Sequence, residues 1–182
     1  MYDYQAPLRD MQFILNMIAG LDEIAALPNC EDASSDVVSA VLEEAGKFAA
    51  GVLAPLNQVG DLQGCRLEDG VVHTPDGWQE AYNQFRDAGW VGLALPQEYG
   101  GQGLPKLVAT PVWEMWFSTN MAFAMLPQLN VGQAEALQIA ASAEQKQIWL
   151  HKVVSGEWGS TMNLTEPQAG SDLAATRTRA VP

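Results

Sequence analysis

Between Val37 and Leu53, apolar side chains fall at the spacing of a single helix face: Val37, Val38, Val41, Leu42, Ala45, Phe48, Ala49, Val52 and Leu53. Ser39, Glu43, Glu44 and Lys47 fill the opposite face, so the pattern predicts an amphipathic helix with one side in a core. Ser34 and Ser35 are its candidate caps and Pro55 marks its end. A shorter helix is predicted over residues 8–21, where Met11, Ile14, Leu15 and Ile18 share helical spacing and Gly20 stands near the end. The lead-in from Met1 to Pro7 reads as extended. From Gly60 to Gly77 the period lapses into a loop, inside which Asp69-Gly70 is set to turn a small hairpin between Cys65-Arg66-Leu67 and Val71-Val72-His73. Helical spacing returns over residues 78–88 through Ala81, Tyr82 and Phe85, with Gly89 as C-cap.

The apolar connector 90–96 leads to a stretch, 96–105, too rich in glycine for either regular element, whose Gly100-Gly101 pair suits a tight turn. Residues 107–126 then form a long apolar run dense in Trp113, Met115, Trp116, Phe117, Met121, Phe123 and Met125. Such a run is ordinarily core, although unbranched methionines also suit an adaptable acyl-chain tunnel. Residues 134–141 continue helical, and Ser142-Ala-Glu-Gln145 is a capping box for a helix running to Val154 and ended by Gly156. At Trp158 the period changes. Met162 and Leu164 alternate with Asn163 as a half-buried strand does, Pro167 ends that ladder, and residues 176–180 alternate again. Two strands make no stable sheet alone, so the chain reads as the N-terminal part of a longer protein.

Of the 182 residues, 48% are hydrophobic, which excludes disorder. Nine basic residues against 22 acidic ones give a net charge of −13, which disfavours nucleic acid or an anionic membrane as partner. Twelve of the acids lie in residues 1–70, a solvated acidic surface. Cys30 and Cys65 lack metal-ligand spacing and read as free thiols. No metal site is expected. His73 and His151 read as surface or capping residues. With neither a signal-peptide pattern nor an apolar run long enough for a bilayer, the expectation is a soluble, cytoplasmic protein.

After the predicted strand comes Thr165-Glu166-Pro167-Gln168-Ala169-Gly170-Ser171-Asp172. Its composition is that of any surface turn, but a glycine followed by a hydroxyl also lets main-chain N–H groups approach an anion. The order of residues closely resembles the flavin-binding signature of the acyl-CoA dehydrogenase family. The run Pro96-Gln-Glu-Tyr-Gly-Gly-Gln-Gly103 resembles a pattern that precedes that family's acyl-pocket helix. The opening Tyr4-Gln-Ala-Pro-Leu-Arg-Asp-Met-Gln-Phe-Ile-Leu15 is similar to the extra N-terminal region of a subgroup that includes 3-methylmercaptopropionyl-CoA dehydrogenases.

The resemblance implies a mainly α fold: the N-terminal helical domain of an acyl-CoA dehydrogenase-like fold, followed by the first strands of its β domain. The segments would be an N-terminal extension (1–33), the helical domain (34–157) and the beginning of the β domain (158–182). The implied cofactor is FAD, lying along Met162, Leu164, Thr165, Gly170 and Ser171. In that arrangement Thr165 contacts the N1/O2 side of the isoalloxazine, and Ser171 reaches both the pyrophosphate and the substrate. The implied activity is α,β-dehydrogenation of an acyl-CoA thioester, with electrons passing to an electron-transfer flavoprotein and a homo-oligomeric full-length protein. The family's α-proton base comes from a C-terminal domain, so no catalytic residue is expected here and this segment alone should be inactive. Glu166 is expected to hydrogen-bond locally or sit in solvent. Two rivals stay open: an acyl-CoA oxidase of the same superfamily, and a non-catalytic helical interaction module.

Overall fold

In the computed structural model, which describes residues 4–181, the helix expected over 8–21 is split. Helix α1 (Leu8–Phe13) widens into a π-turn, Ile14–Ile18, and Gly20 then takes a left-handed conformation (φ 71°) that starts α2 (Leu21–Ala25). The reversal buries Leu21 beside Met11 and Leu15, a tertiary gain that helical spacing alone does not reveal. Residues 4–7 have no regular structure, and the rest of the expected extended lead-in lies outside the described residues.

Helix α3 (Ser35–Phe48) begins as its pattern predicts, with the Ser34 hydroxyl accepting from the Val37 N–H at 3.4 Å. It does not stop at Pro55. A second π-turn, Ala49–Leu53, shifts the helical register, so that Pro55 falls in the first turn of α4 (Ala54–Gln63). The i→i−5 bond from the Ala54 N–H to the Ala49 carbonyl widens the turn just before Pro55, where a residue without an N–H is accommodated. The loop expected from Gly60 therefore begins at Gly64 (φ 64°). It carries the predicted hairpin: β1 (Arg66–Glu68) pairs antiparallel with β2 (Val71–His73), Leu67 opposite Val72. Asp69 (φ 49°) and Gly70 (φ 79°) are both left-handed, the geometry of a type I′ turn.

Helix α5 (Trp78–Asp87) inserts Phe85 into the centre of the molecule, where its ring meets Phe48, Trp116 and Phe123 at centroid separations of 5.5–5.9 Å. These tilted and edge-on contacts suit the ring quadrupoles. The apolar run became α6 (Lys106–Ala140), broken at Asn120, whose φ/ψ of −155°/85° is not helical. In a straight helix Lys106 and Glu135 would lie about 43 Å apart; here they form an ion pair at 2.5 Å. The two arms, 106–119 and 121–140, therefore fold back on each other. Asn120 is buried at the bend, where its Oδ1 accepts from the Phe123 N–H (3.0 Å) and caps the second arm. Its Nδ2 donates to the Leu53 carbonyl in the π-turn (3.4 Å). Residues 127–133, which carried no sequence signal, belong to this second arm.

Helix α7 (Ala143–Val154) has the predicted capping box: Ser142 Oγ accepts from Gln145 N–H (3.2 Å) and Ser142 N–H donates to Gln145 Oε1 (2.9 Å). A second apolar cluster, Leu95, Ala134, Leu150, Val153 and Val154, joins α7 to the second arm and to the glycine-rich loop. The mainly helical class is as expected, but the strands expected after Trp158 do not form. Residues 161–165 and 176–181 carry no ladder, and Glu166 and Ala169 make one isolated bridge. Period-2 alternation offers one face for burial, and the described residues place no partner strand against it. No helix among them is long and apolar enough to cross a membrane.

Candidate functional site

Gly156 (φ 76°) ends α7 and turns the chain towards the 165–172 segment. Its carbonyl accepts from the Tyr82 hydroxyl at 2.8 Å. Asn130, on the second arm of α6, holds the next few residues: its Nδ2 donates to the carbonyls of Val153 (3.1 Å) and Trp158 (2.9 Å), and its Oδ1 accepts from the Ser160 N–H (2.9 Å). Ser160 is buried, and its hydroxyl has no partner among the described residues. A Cβ added at Gly159 would touch Leu126 Cδ1 at 3.4 Å, so the departing chain runs beside that arm.

Beyond Ser160 the chain has no regular structure and is exposed through Thr165. Met162 and Leu164 show apolar surface to solvent, and Thr165, Gly170 and Ser171 are exposed as well. Thr165 and Gly170 come together: a Cβ built on Gly170 would find only Thr165 Cγ2, at 3.8 Å. Ser171 makes no hydrogen bond to either. The turn is closed by Glu166, expected from the sequence to bond locally or sit in solvent. Its N–H donates to the Ala169 carbonyl (3.0 Å) and the Ala169 N–H returns the bond (3.1 Å). Its carboxylate accepts from the Thr178 hydroxyl, from the backbone N–H groups of Arg177 (3.0 Å) and Thr178 (2.8 Å), and from Gln168 Nε2. Those bonds, the Thr178 hydroxyl first, hold the Glu166 carboxyl down at about 2. A carboxylate so occupied is a poor proton acceptor.

The other face is supplied by α6. Met115, Trp116 and Phe123 are core, whereas Met121 (61% exposed) and Met125 (55%) stand on the open side of the second arm with Leu126. Beside them lies a cleft of about 950 Å³ between the hairpin, α5 and that arm, lined by Val72, His73, Trp78, Tyr82, Phe123 and Leu126. His73 is exposed, and His151 lies edge-on to Tyr99 at 5.5 Å. Cys30 and Cys65 are free, and among the described residues no three metal-ligating side chains converge. Sequence reasoning missed Asn130. No signal in residues 127–133 pointed to it.

A sequence model of the acyl-CoA dehydrogenase N-terminal domain matches residues 35–157. The chain belongs to the acyl-CoA dehydrogenase family. It is 45% identical to 3-methylmercaptopropionyl-CoA dehydrogenase of Ruegeria pomeroyi over 98% of its own length and 30% of that protein's. A chain from the structure of the electron transferring flavoprotein of Acidaminococcus fermentans is 26% identical, with a TM-score of 0.63 over 77% of this chain and 34% of that one. An acyl-CoA dehydrogenase from Bacillus anthracis, complexed with FAD, shares the fold at 23% identity and a TM-score of 0.63, covering 86% and 24%. The chain spans about 30% of the length of the curated acyl-CoA dehydrogenases it matches.

The exposed groups suit a flavin. Met162 and Leu164 are exposed apolar side chains and Thr165 and Ser171 exposed hydroxyls, the kinds of group that the ring face and the polar edge of a flavin would need. At Gly170 the backbone carries no Cβ, and the Thr165 methyl is the one group within 4 Å of where a Cβ would stand.

Proposed function

We propose that this chain is the N-terminal part of an FAD-dependent acyl-CoA dehydrogenase, which removes hydrogens from the α and β carbons of an acyl-CoA thioester. FAD, when bound, supplies the acceptor for the β-hydride. The chain's own residues orient and enclose. Met162 and Leu164 would lie along the ring system, Thr165 would donate to its N1/O2 edge, and the Gly170–Ser171 backbone and hydroxyl would meet the pyrophosphate, Ser171 also reaching the substrate. The open face of Met121 and Met125 would line the acyl chain, where two flexible thioethers adapt to its shape. The α-proton base would come from a separate C-terminal domain, and Glu166 is excluded from that role by its bonds. Segments 1–33, 34–157 and 158–182 would be an extension, the helical domain and the opening of the β domain of a cytoplasmic homo-oligomer.

The observation that carries this reading is the juxtaposition at Gly159. The chain that leads to the signature segment passes, at Gly159, beside the arm that bears the open methionine face. Electrons would leave to an electron-transfer flavoprotein, in keeping with the likeness to the Acidaminococcus fermentans structure.

The test is the visible spectrum of the purified full-length protein. A flavin band that bleaches when acyl-CoA is added anaerobically, and returns on addition of electron-transfer flavoprotein, is the expected result; 3-methylmercaptopropionyl-CoA and butyryl-CoA are the first thioesters to try. Rapid return of colour with oxygen, and stoichiometric peroxide, would mark an oxidase instead. A colourless protein that takes up no FAD would overturn the proposal.

A further inference from the structure

Asn130 is completely buried, and an unpaired amide there would cost several kcal/mol in lost hydration. It has instead used every N–H it owns. One bond goes to the Val153 carbonyl in the last turn of α7, which also accepts from the Gly156 N–H. The other two, from Nδ2 to the Trp158 carbonyl and from the Ser160 N–H to Oδ1, flank Gly159 on one side of the chain. A neighbouring parallel strand makes this same pair of bonds, with one residue donating its N–H to the carbonyl of residue i−1 and its carbonyl accepting from the N–H of residue i+1. The Asn130 carboxamide therefore stands in for one residue of a strand that is not there. It fixes the direction in which the extended segment leaves the helical domain.

We propose that Asn130 is a positioning residue that sets the register between the acyl-facing arm of α6 and the flavin-facing segment. This rests on the function proposed above. Four residues separate Ser160 from Thr165, five steps that span up to about 17 Å at the rise of a strand. A swing of about 10° at Gly159 would thus move Thr165 by about 3 Å, where misplacements of about 1 Å already cost on the order of a hundredfold in rate. The same arm carries Met121 and Met125, so one rigid element would hold both the thioester's acyl chain and the origin of the flavin segment.

The experiment uses the full-length holoenzyme and compares Asn130→Ala with Asn120→Ala. Asn120 is the matched control: also a buried amide on α6, but bonded to Leu53 and Phe123 rather than to the departing segment. Asn130→Asp is the near-isosteric second variant, which keeps the acceptor for Ser160 and loses both donors, and it is read if the alanine variant does not fold. Measurements are made well below the unfolding transition of each protein.

In the Asn130 variant, amide exchange should quicken at Ser160, kcat should fall about ten- to a hundredfold, and KM for the thioester should change little. Asn120→Ala should lose comparable stability yet keep kcat and Ser160 protection. Wild-type kcat with an unprotected Ser160 amide, or equal kcat losses in the two matched alanine variants, would overturn the assignment. If the unaltered protein holds no FAD, the proposed function falls and this inference with it. If it holds FAD and turns over, an unaffected Asn130 variant sinks this inference alone.

Discussion

Glu166 shows how a few donors decide what a carboxylate can do. Its folded value of about 2 lies below the ordinary 4.5, so its contribution to the turn is fully present above pH 4.5 and is lost as the pH falls towards 2. The Thr178 N–H shift, followed by NMR, should titrate with a midpoint near 2, and the protection of the Arg177 and Thr178 amides should stay constant above about pH 4.5. A midpoint at the ordinary value would mean that the clasp is open in solution. Thr165 is the complementary case, because its hydroxyl is exposed and uncommitted. A donor at the N1/O2 edge of a bound flavin favours the state carrying more negative charge there. Thr165→Val keeps the β-branched shape, so stability should hardly change while the reduction potential falls. At about 1 kcal/mol for a neutral hydrogen bond, the drop should be small but measurable by dye-equilibrated titration. A shifted melting temperature with an unmoved potential would make Thr165 a packing residue.

At the level of elements, the features legible in the sequence were those set by neighbouring residues. The Asp69-Gly70 turn, the Ser142–Gln145 box and the Gly89 and Gly156 caps each follow from side chains within a few positions. The π-turns at 14–18 and 49–53 and the bend at Asn120 do not, because each is held by contacts distant in sequence, such as that from Asn120 to the Leu53 carbonyl. The strand reading of 158–164 failed because alternation specifies a face and not a partner. For the site, the order of residues in 165–172 suggested the chemistry, while the Asn130 anchor was invisible since its partners lie 23 to 30 positions away. The Pro96–Gly103 loop shows a glycine demanded by space. A Cβ on Gly101 would lie 2.1 Å from the Leu95 carbonyl oxygen and 3.0 Å from that of Gly92. Those backbone atoms cannot yield, because the Gly103 N–H donates to the first carbonyl and the Gln102 N–H to the second. Gly101→Ala should therefore destabilise the domain by about 3 kcal/mol or more, whereas Gly132→Ala, where a Cβ meets nothing within 4 Å, should be neutral or stabilising. Urea unfolding of the two variants side by side measures the difference.

For the molecule as a whole, the distribution of apolar surface bears on what the 182 residues can do by themselves. Met121, Met125 and Leu126 on one arm, Trp149 and Trp158 at the end of α7, and Met162 and Leu164 beyond it are all substantially exposed. Trp149 and Trp158 meet edge-on at 5.3 Å, and exposed apolar patches mark places where something else binds. In the reading proposed here their cover would come from the flavin, the acyl chain and the remaining domains. The 182-residue chain expressed alone, with FAD added, should therefore leave an electron-acceptor dye unreduced by acyl-CoA. The reason is chemical as well as steric. An α-proton is taken only by a base of adequate strength within hydrogen-bond reach of it, and Glu166 in the signature segment is held near 2 by four donors. The full-length protein should reduce the dye under the same conditions, which separates a missing base from a wrong substrate. Dye reduction by the short chain above a no-enzyme control would place the base within these residues and remove the assignment of that role to a C-terminal domain.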